Sequence, residues 1–189
     1  LYQEFGKPLL PFLRGALGCA RRGHLQELFH RYQWWKGQKT DPFDHFERYP
    51  HSSILFIQMG NQGGIDKSLG AENPIFRKKI KELSETFSIG LHPSSVAANS
   101  LNDLQQEKAQ LEEIIQKPVT QSRQHYLLTS PSLWENLQVV GIKEDYTALS
   151  ADQNGFQLGT ALPVHHYDFK NEKISDLIRV PSAWMDATG

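Results

Sequence analysis

Cys19 is the only cysteine in the 189 residues, so an intramolecular disulfide and a multi-cysteine zinc site within the chain are excluded. Long apolar runs are also missing. Stretches such as Ile54 to Ile57 are far too short to cross a bilayer, so no membrane span is expected. No signal peptide is visible, and with one free thiol the expected location is cytoplasmic. There is little net charge: the formal value is −1, which disfavours a nucleic-acid partner reached through a strong basic field. H-E-x-x-H, P-loop and G-x-S-x-G patterns are all absent, so the zincin, P-loop NTPase and α/β-hydrolase readings lack their motifs. Internal repeats and low-complexity linkers are absent as well.

What is present is an ordinary globular balance, 39% hydrophobic and 22% charged, enough to exclude disorder as a whole-chain reading. The length fits one domain, read here as spanning 1–189. Leucines and aromatics at three- and four-residue steps predict helix from Leu9 to Trp35, with a break at Arg21-Arg22-Gly23. Gly37 to Phe46 carries turn chemistry. Beyond it the pattern alternates: strand 53–59, helix 74–87, strand 88–92, helix 100–117, strand 119–128, helix 131–140, strand 142–149. Ser100 and Asp103 have capping-box spacing, and Pro74 suits a first helical turn. Strand-like segments at Phe156 to Leu162 and Ile178 to Pro181 follow. Such alternation implies right-handed βαβ units and a parallel sheet, open or part of a barrel, with chemistry at the carboxyl ends of the strands.

The polar residues fall at those ends. His92-Pro93-Ser94-Ser95 closes one strand, and Arg123-Gln124-His125-Tyr126 lies in another. Asp145 sits in a third, with Asp152 after it, and His165-His166 and Asp186 come near the C-terminus. Two imidazoles, a guanidinium and several carboxylates on one rim would suit a zinc-like ion, which polarises a carbonyl and acidifies bound water. Each residue also has a plainer role: His92 a hydrogen-bonded strand end, His125 a buried and satisfied histidine, Arg123 an ion-pair partner. His165 and His166 are adjacent, so in extended chain they point to opposite sides.

Several segments resemble a divergent bacterial branch of the polysaccharide deacetylases of the NodB-homology type. They are Ile89-Gly90-Leu91-His92-Pro93-Ser94, Ser122 to Leu127, Gly141-Ile142 with Asp145-Tyr146, Ala151-Asp152 with Gly155-Phe156, Gly159-Thr160 and Met185-Asp186. Asp41-Pro42-Phe43-Asp44 and Gly64-Ile65-Asp66-Lys67 fit the same branch, and the likeness covers residues 38–188. The resemblance implies an α/β fold, a distorted or incomplete (β/α) barrel, with its first, Asp-rich strand expected ahead of Leu1. It implies metal-dependent removal of acetyl groups from a saccharide in bacterial surface-polysaccharide biosynthesis, with a divalent metal, zinc foremost, as cofactor. On that reading His92 and His125 hold the metal, and Arg123, Asp145 and Asp186 are the catalytic candidates. Tyr126, Ser94 and Asp152 are the candidates for binding substrate.

The sequence departs from the family pattern at three places. Val96 stands where the family has its second histidine, the Asp strand is not visible, and Leu162-Pro163-Val164-His165 only loosely echoes the C-terminal Leu-x-His. These departures leave two alternatives. One is a catalytically incomplete, glycan-binding or interaction module, with Trp34, Trp35, Trp134 and Trp184 as stacking platforms or core residues. The other is a hydrolase pairing Asp145 or Asp152 with Asp186 in the glycosidase manner.

Overall fold

The computed structural model describes residues 9–35, 49–61, 64–66, 68–150 and 154–183. The chain divides into two compact units, Leu1–Ser53 and Ile54–Gly189. Among the described residues no helix is long and apolar enough to cross a membrane. The turn segment 37–46 lies outside the described residues.

In the first unit, α1 (Leu9–Arg21) and α2 (Leu25–Trp35) are separated at the expected break. Gly23 takes a positive φ of 73° there, a conformation open to glycine at little cost. The His24 N–H closes the turn by donating to the Cys19 carbonyl. Cys19 is buried and its thiol donates to the Glu27 carboxylate.

The second unit is a mixed α/β fold on a six-stranded, mostly parallel sheet. Its elements in chain order are β1 (Ile54–Ile57), α3 (Pro74–Ser84), β2 (Ser88–Leu91), α4 (Leu101–Ile115), β3 (Gln121–Ser122), α5 (Leu133–Val139), β4 (Glu144–Asp145), β5 (Val164–Asp168) and β6 (Lys173–Arg179). The spatial order is β1-β2-β3-β4-β6-β5, parallel except for β5, which runs antiparallel along β6.

Local chemistry accounts for the helices. Asn73 caps α3, its side chain accepting from the Ile75 and Phe76 N–H groups, with Pro74 next to it in the first turn. Ser100 caps α4 by accepting from the Asp103 N–H, as the spacing predicts. Leu104, Leu111, Ile114 and Ile115 of α4 and Leu133 and Leu137 of α5 are buried. Each contributes roughly 1.5–3 kcal/mol from removal of apolar surface from water.

Registration across the sheet places the rim. Ile57, Leu91, Ser122, Asp145, Arg179 and Val164 form one row of Cα partners through all the strands. Side chains in such a row share a face, and the next residue of each strand projects to the other. Gln58, His92, Arg123 and Tyr146 therefore follow the row together at the carboxyl ends.

Three strand expectations need correction, the first being 142–149, of which only Glu144–Asp145 is strand. Only Gln121–Ser122 of the segment 119–128 is strand, and His125–Leu127 is a 3-10 turn. The chain leaves the ladder because its next donors find other acceptors: Gln124 N–H binds Thr147 Oγ1 and His125 N–H binds the Pro93 carbonyl. Tyr126 and Leu127 then take positive φ, 53° and 54°. At the C-terminal side, Phe156 to Leu162 is turn and bend, while the strands are Val164–Asp168 and Lys173–Arg179. Exposed Ile174 and Asp176 alternate with buried Ser175 and Leu177, so the period is right but the polarity is reversed at Ile174 and Ser175.

Candidate functional site

His92 follows β2 directly, and its N–H still donates to the Ile57 carbonyl at 2.8 Å. Its ring Nδ1 meets the Arg123 carbonyl oxygen. A carbonyl only accepts, so Nδ1 carries the proton and Nε2 of the neutral ring presents a lone pair. Burial, and next the neighbouring His125, push the His92 pKa down to about 4, which keeps the ring neutral near pH 7.

His125 comes from the 3-10 turn. Its Nε2 lies 3.2 Å from the Ile65 carbonyl and 3.8 Å from Asp66 Oδ1. The carbonyl again assigns the proton to Nε2. The remaining nitrogen, Nδ1, lies 3.1 Å from His92 Nε2, and the rings meet edge to face with centroids 5.0 Å apart. With both outer nitrogens given to carbonyls, two lone pairs face each other, and a positive species between them relieves their repulsion. A shared proton would do this. So would a metal ion, because two imidazole nitrogens at this separation can both reach one ion at about 2.0–2.1 Å. A ligating histidine commonly donates its other N–H to a carbonyl, which both rings do here.

Asp66 is the residue that spacing arguments missed. It is 1% exposed and accepts from Gln58 Nε2, the Ser95 N–H and the Ser95 hydroxyl. It lies in the β1–α3 loop with no sequence relation to either histidine. Its only signal was Gly64-Ile65-Asp66-Lys67, which carried no assigned role. The carboxylate stands 3.8 Å from the outer nitrogen of His125, too far for a hydrogen bond, and adds negative potential there without joining the two facing nitrogens; the Ile65 carbonyl is what fixes the ring. Among the described residues no three His, Cys, Asp or Glu groups are arranged to hold a metal ion. The two facing nitrogens could supply two donors to a zinc-like ion, fewer than the three or four that protein zinc sites commonly provide.

The loop carrying His92 is held by a second carboxylate. Glu107 of α4 accepts from both the N–H and the hydroxyl of Ser94, as Asp66 does from Ser95. Burial raises the Glu107 pKa, partly opposed by those Ser94 bonds. Gln124 adds two bonds from Nε2, to the Pro93 and Ser94 carbonyls at 3.0 and 2.8 Å. A side chain at Gly60 would collide with Glu107 and Ser94, so this position needs glycine.

The structure thus brings His92, His125, Arg123 and Tyr126 together. Arg123 supplies the carbonyl beneath His92, and its charge helps hold His92 neutral. Tyr126 is 64% exposed with its ring 4.5 Å from that of His125, leaving most of the phenol open to solvent. Ser94 is buried and turned towards Glu107. Asp145 is buried in the registered row on the other face, accepting from Ser122 Oγ, Thr147 Oγ1 and the Thr147 N–H. Burial raises its pKa against those bonds. Val96 is exposed. Asp152 and Asp186 lie outside the described residues, as do Asp41, Asp44 and Trp184. His165 and His166 diverge as expected: the first bonds the Ser175 carbonyl through Nδ1, the second lies against Trp134.

Comparison with family models, with curated proteins and with solved structures gives no match.

Proposed function

We propose that this chain is a metal-dependent carbohydrate deacetylase that removes acetyl groups from a sugar in bacterial surface-polysaccharide assembly. On this reading the sheet belongs to a distorted, incomplete (β/α) barrel of the NodB-homology type. The observation that carries the reading is the pair of facing nitrogens, His92 Nε2 and His125 Nδ1, 3.1 Å apart, each ring anchored at its other nitrogen to a backbone carbonyl. A zinc-like ion bound there would supply Lewis acidity towards the acetyl carbonyl and a more acidic water. The chain's own residues do the rest. Burial keeps His92 unprotonated and available. The Ile65 carbonyl holds the orientation of His125, with the Asp66 carboxylate 3.8 Å away, and the exposed face of Tyr126 offers a sugar ring an apolar surface beside the imidazoles.

A second reading, a glycan-binding module without catalysis, is favoured by the state of the carboxylates. The oxygens of Asp66 and Asp145 are filled by donors, so neither is free to take a proton from water. Zinc titration by calorimetry, together with acetate release from N-acetylated oligosaccharides, separates the two. Zinc binding with acetate release, both lost in His92→Ala, supports the deacetylase. Oligosaccharide binding with no acetate release supports the module.

A further inference from the structure

Arg179 ends β6 in the registered row, on the face away from His92. Its guanidinium carbon lies over the Trp134 ring, 4.2 Å from the centroid. The His166 ring meets the same indole, with centroids 5.6 Å apart. Arg179 Nε is buried with no hydrogen-bond partner. Asp145, the Cα partner of Arg179, acts on it through its field, while the Asp145 oxygens are taken up by Ser122 and Thr147. Asp168 is likewise engaged, accepting from Asn171 and the Lys170 N–H. A guanidinium partly withdrawn from water and stacked on an indole, its buried Nε without an acceptor among the described residues, is an orphan of the kind that in native proteins calls for water or an ion.

We infer that Trp134, His166 and Arg179 form an oxyanion-recognition site for a ligand's carboxylate or phosphate group. The planar fork of arginine N–H groups matches paired oxygens, and stacking on Trp134 restricts its orientation before the ligand arrives. The half-buried His166 ring is the second donor. Burial and then the Arg179 charge hold its pKa below the usual value, with Asp168 opposing them. An oxyanion held by the Arg179 guanidinium offsets that repulsion and favours the imidazolium. The inference does not depend on the deacetylase reading, since it uses none of the residues around His92 and His125. A role confined to offsetting Asp145 leaves His166 indifferent to added anions.

The test follows the His166 ring by ¹H–¹⁵N spectroscopy of the whole chain, assigned with His166→Gln. Inorganic phosphate, sodium glucuronate and sodium chloride are added at matched ionic strength. Phosphate or glucuronate is expected to raise the His166 midpoint by about half a pH unit or more, with chloride inert. A response to phosphate alone assigns a phosphorylated ligand, and to glucuronate alone an acidic sugar. Arg179→Gln is expected to weaken the effective anion by roughly tenfold or more. Arg179→Lys keeps the charge without the fork, and is expected to bind more weakly than the parent; it also serves if Arg179→Gln does not fold. No midpoint change with either anion, or equal changes in the parent and the variants, overturns the inference.

Discussion

His92 and His125, 33 positions apart, direct one ring nitrogen each at the other across 3.1 Å, and each gives its second nitrogen to a backbone carbonyl. The arrangement leaves no protein donor between the facing nitrogens unless one ring is doubly protonated. Zinc added to the metal-free chain is therefore expected to bind with a stoichiometry of one. Removal of either ring, His92→Ala or His125→Ala, should weaken it at least about tenfold, as seen when ligands or their supports are lost. Calorimetric titration checks this, and unchanged zinc affinity in both variants would sink the two-nitrogen grip.

Asp66 stands beside the outer nitrogen of His125. Asp66→Asn keeps the size and one acceptor but removes the negative charge 3.8 Å from His125 Nε2. The expected result is roughly 10–100-fold weaker zinc binding with the fold retained, because Ser95 still has a partner. Parallel zinc titration and circular dichroism read the two effects separately.

Glu107 carries a pH signature. Burial places its folded-state pKa above the ordinary 4.5. The folded chain then holds this proton more tightly than the unfolded one, so the associated stability is full below about pH 4.5 and is lost as pH rises through the folded value. Glu107→Gln removes the titrating group, and its stability should fall less than the parent's as pH rises above 4.5. Urea midpoints measured at several pH values check the slope, and the Asp66→Asn variant serves as the control.

Gly90 is held by a steric contact. A Cβ there would stand 2.6 Å from the Phe56 ring atoms Cδ1 and Cε1. Gly90→Ala is expected to cost about 1–3 kcal/mol through this overpacking. Phe56→Leu in the same chain should restore part of the loss, which thermal unfolding of the single and double variants measures. Additive losses would show that the two positions do not press on each other.

Much of the second unit was legible from pattern. Asn73-Pro74 and Ser100 mark helix starts by capping chemistry that acts within a few residues, and both caps are observed. Apolar Ile54 to Ile57 and the run ending at Leu91 are strands because local apolarity and flanking turns suffice to define them. The segment around His125 misled the pattern. Whether that chain stays in the ladder depends on Thr147 and Pro93, 23 and 32 positions away, which take its N–H groups. The β5–β6 hairpin was misplaced because Ile174 is exposed and Ser175 buried, against their polarities.

The amino-acid order by itself determined the alternation of helix and strand, and with it the placing of His92 at the end of a strand, whereas Arg123 was read inside a strand that the structure ends at Ser122. Those features rest on periodicity and capping, interactions between residues close in the chain. Only the tertiary structure decided that Asp66 stands behind His125, that Glu107 and Asp66 each hold one of two adjacent serines, and that Asp145 turns to the other face. Those outcomes come from registration between strands and from loops meeting across it, where the partners are distant in sequence and no local periodicity encodes their contact.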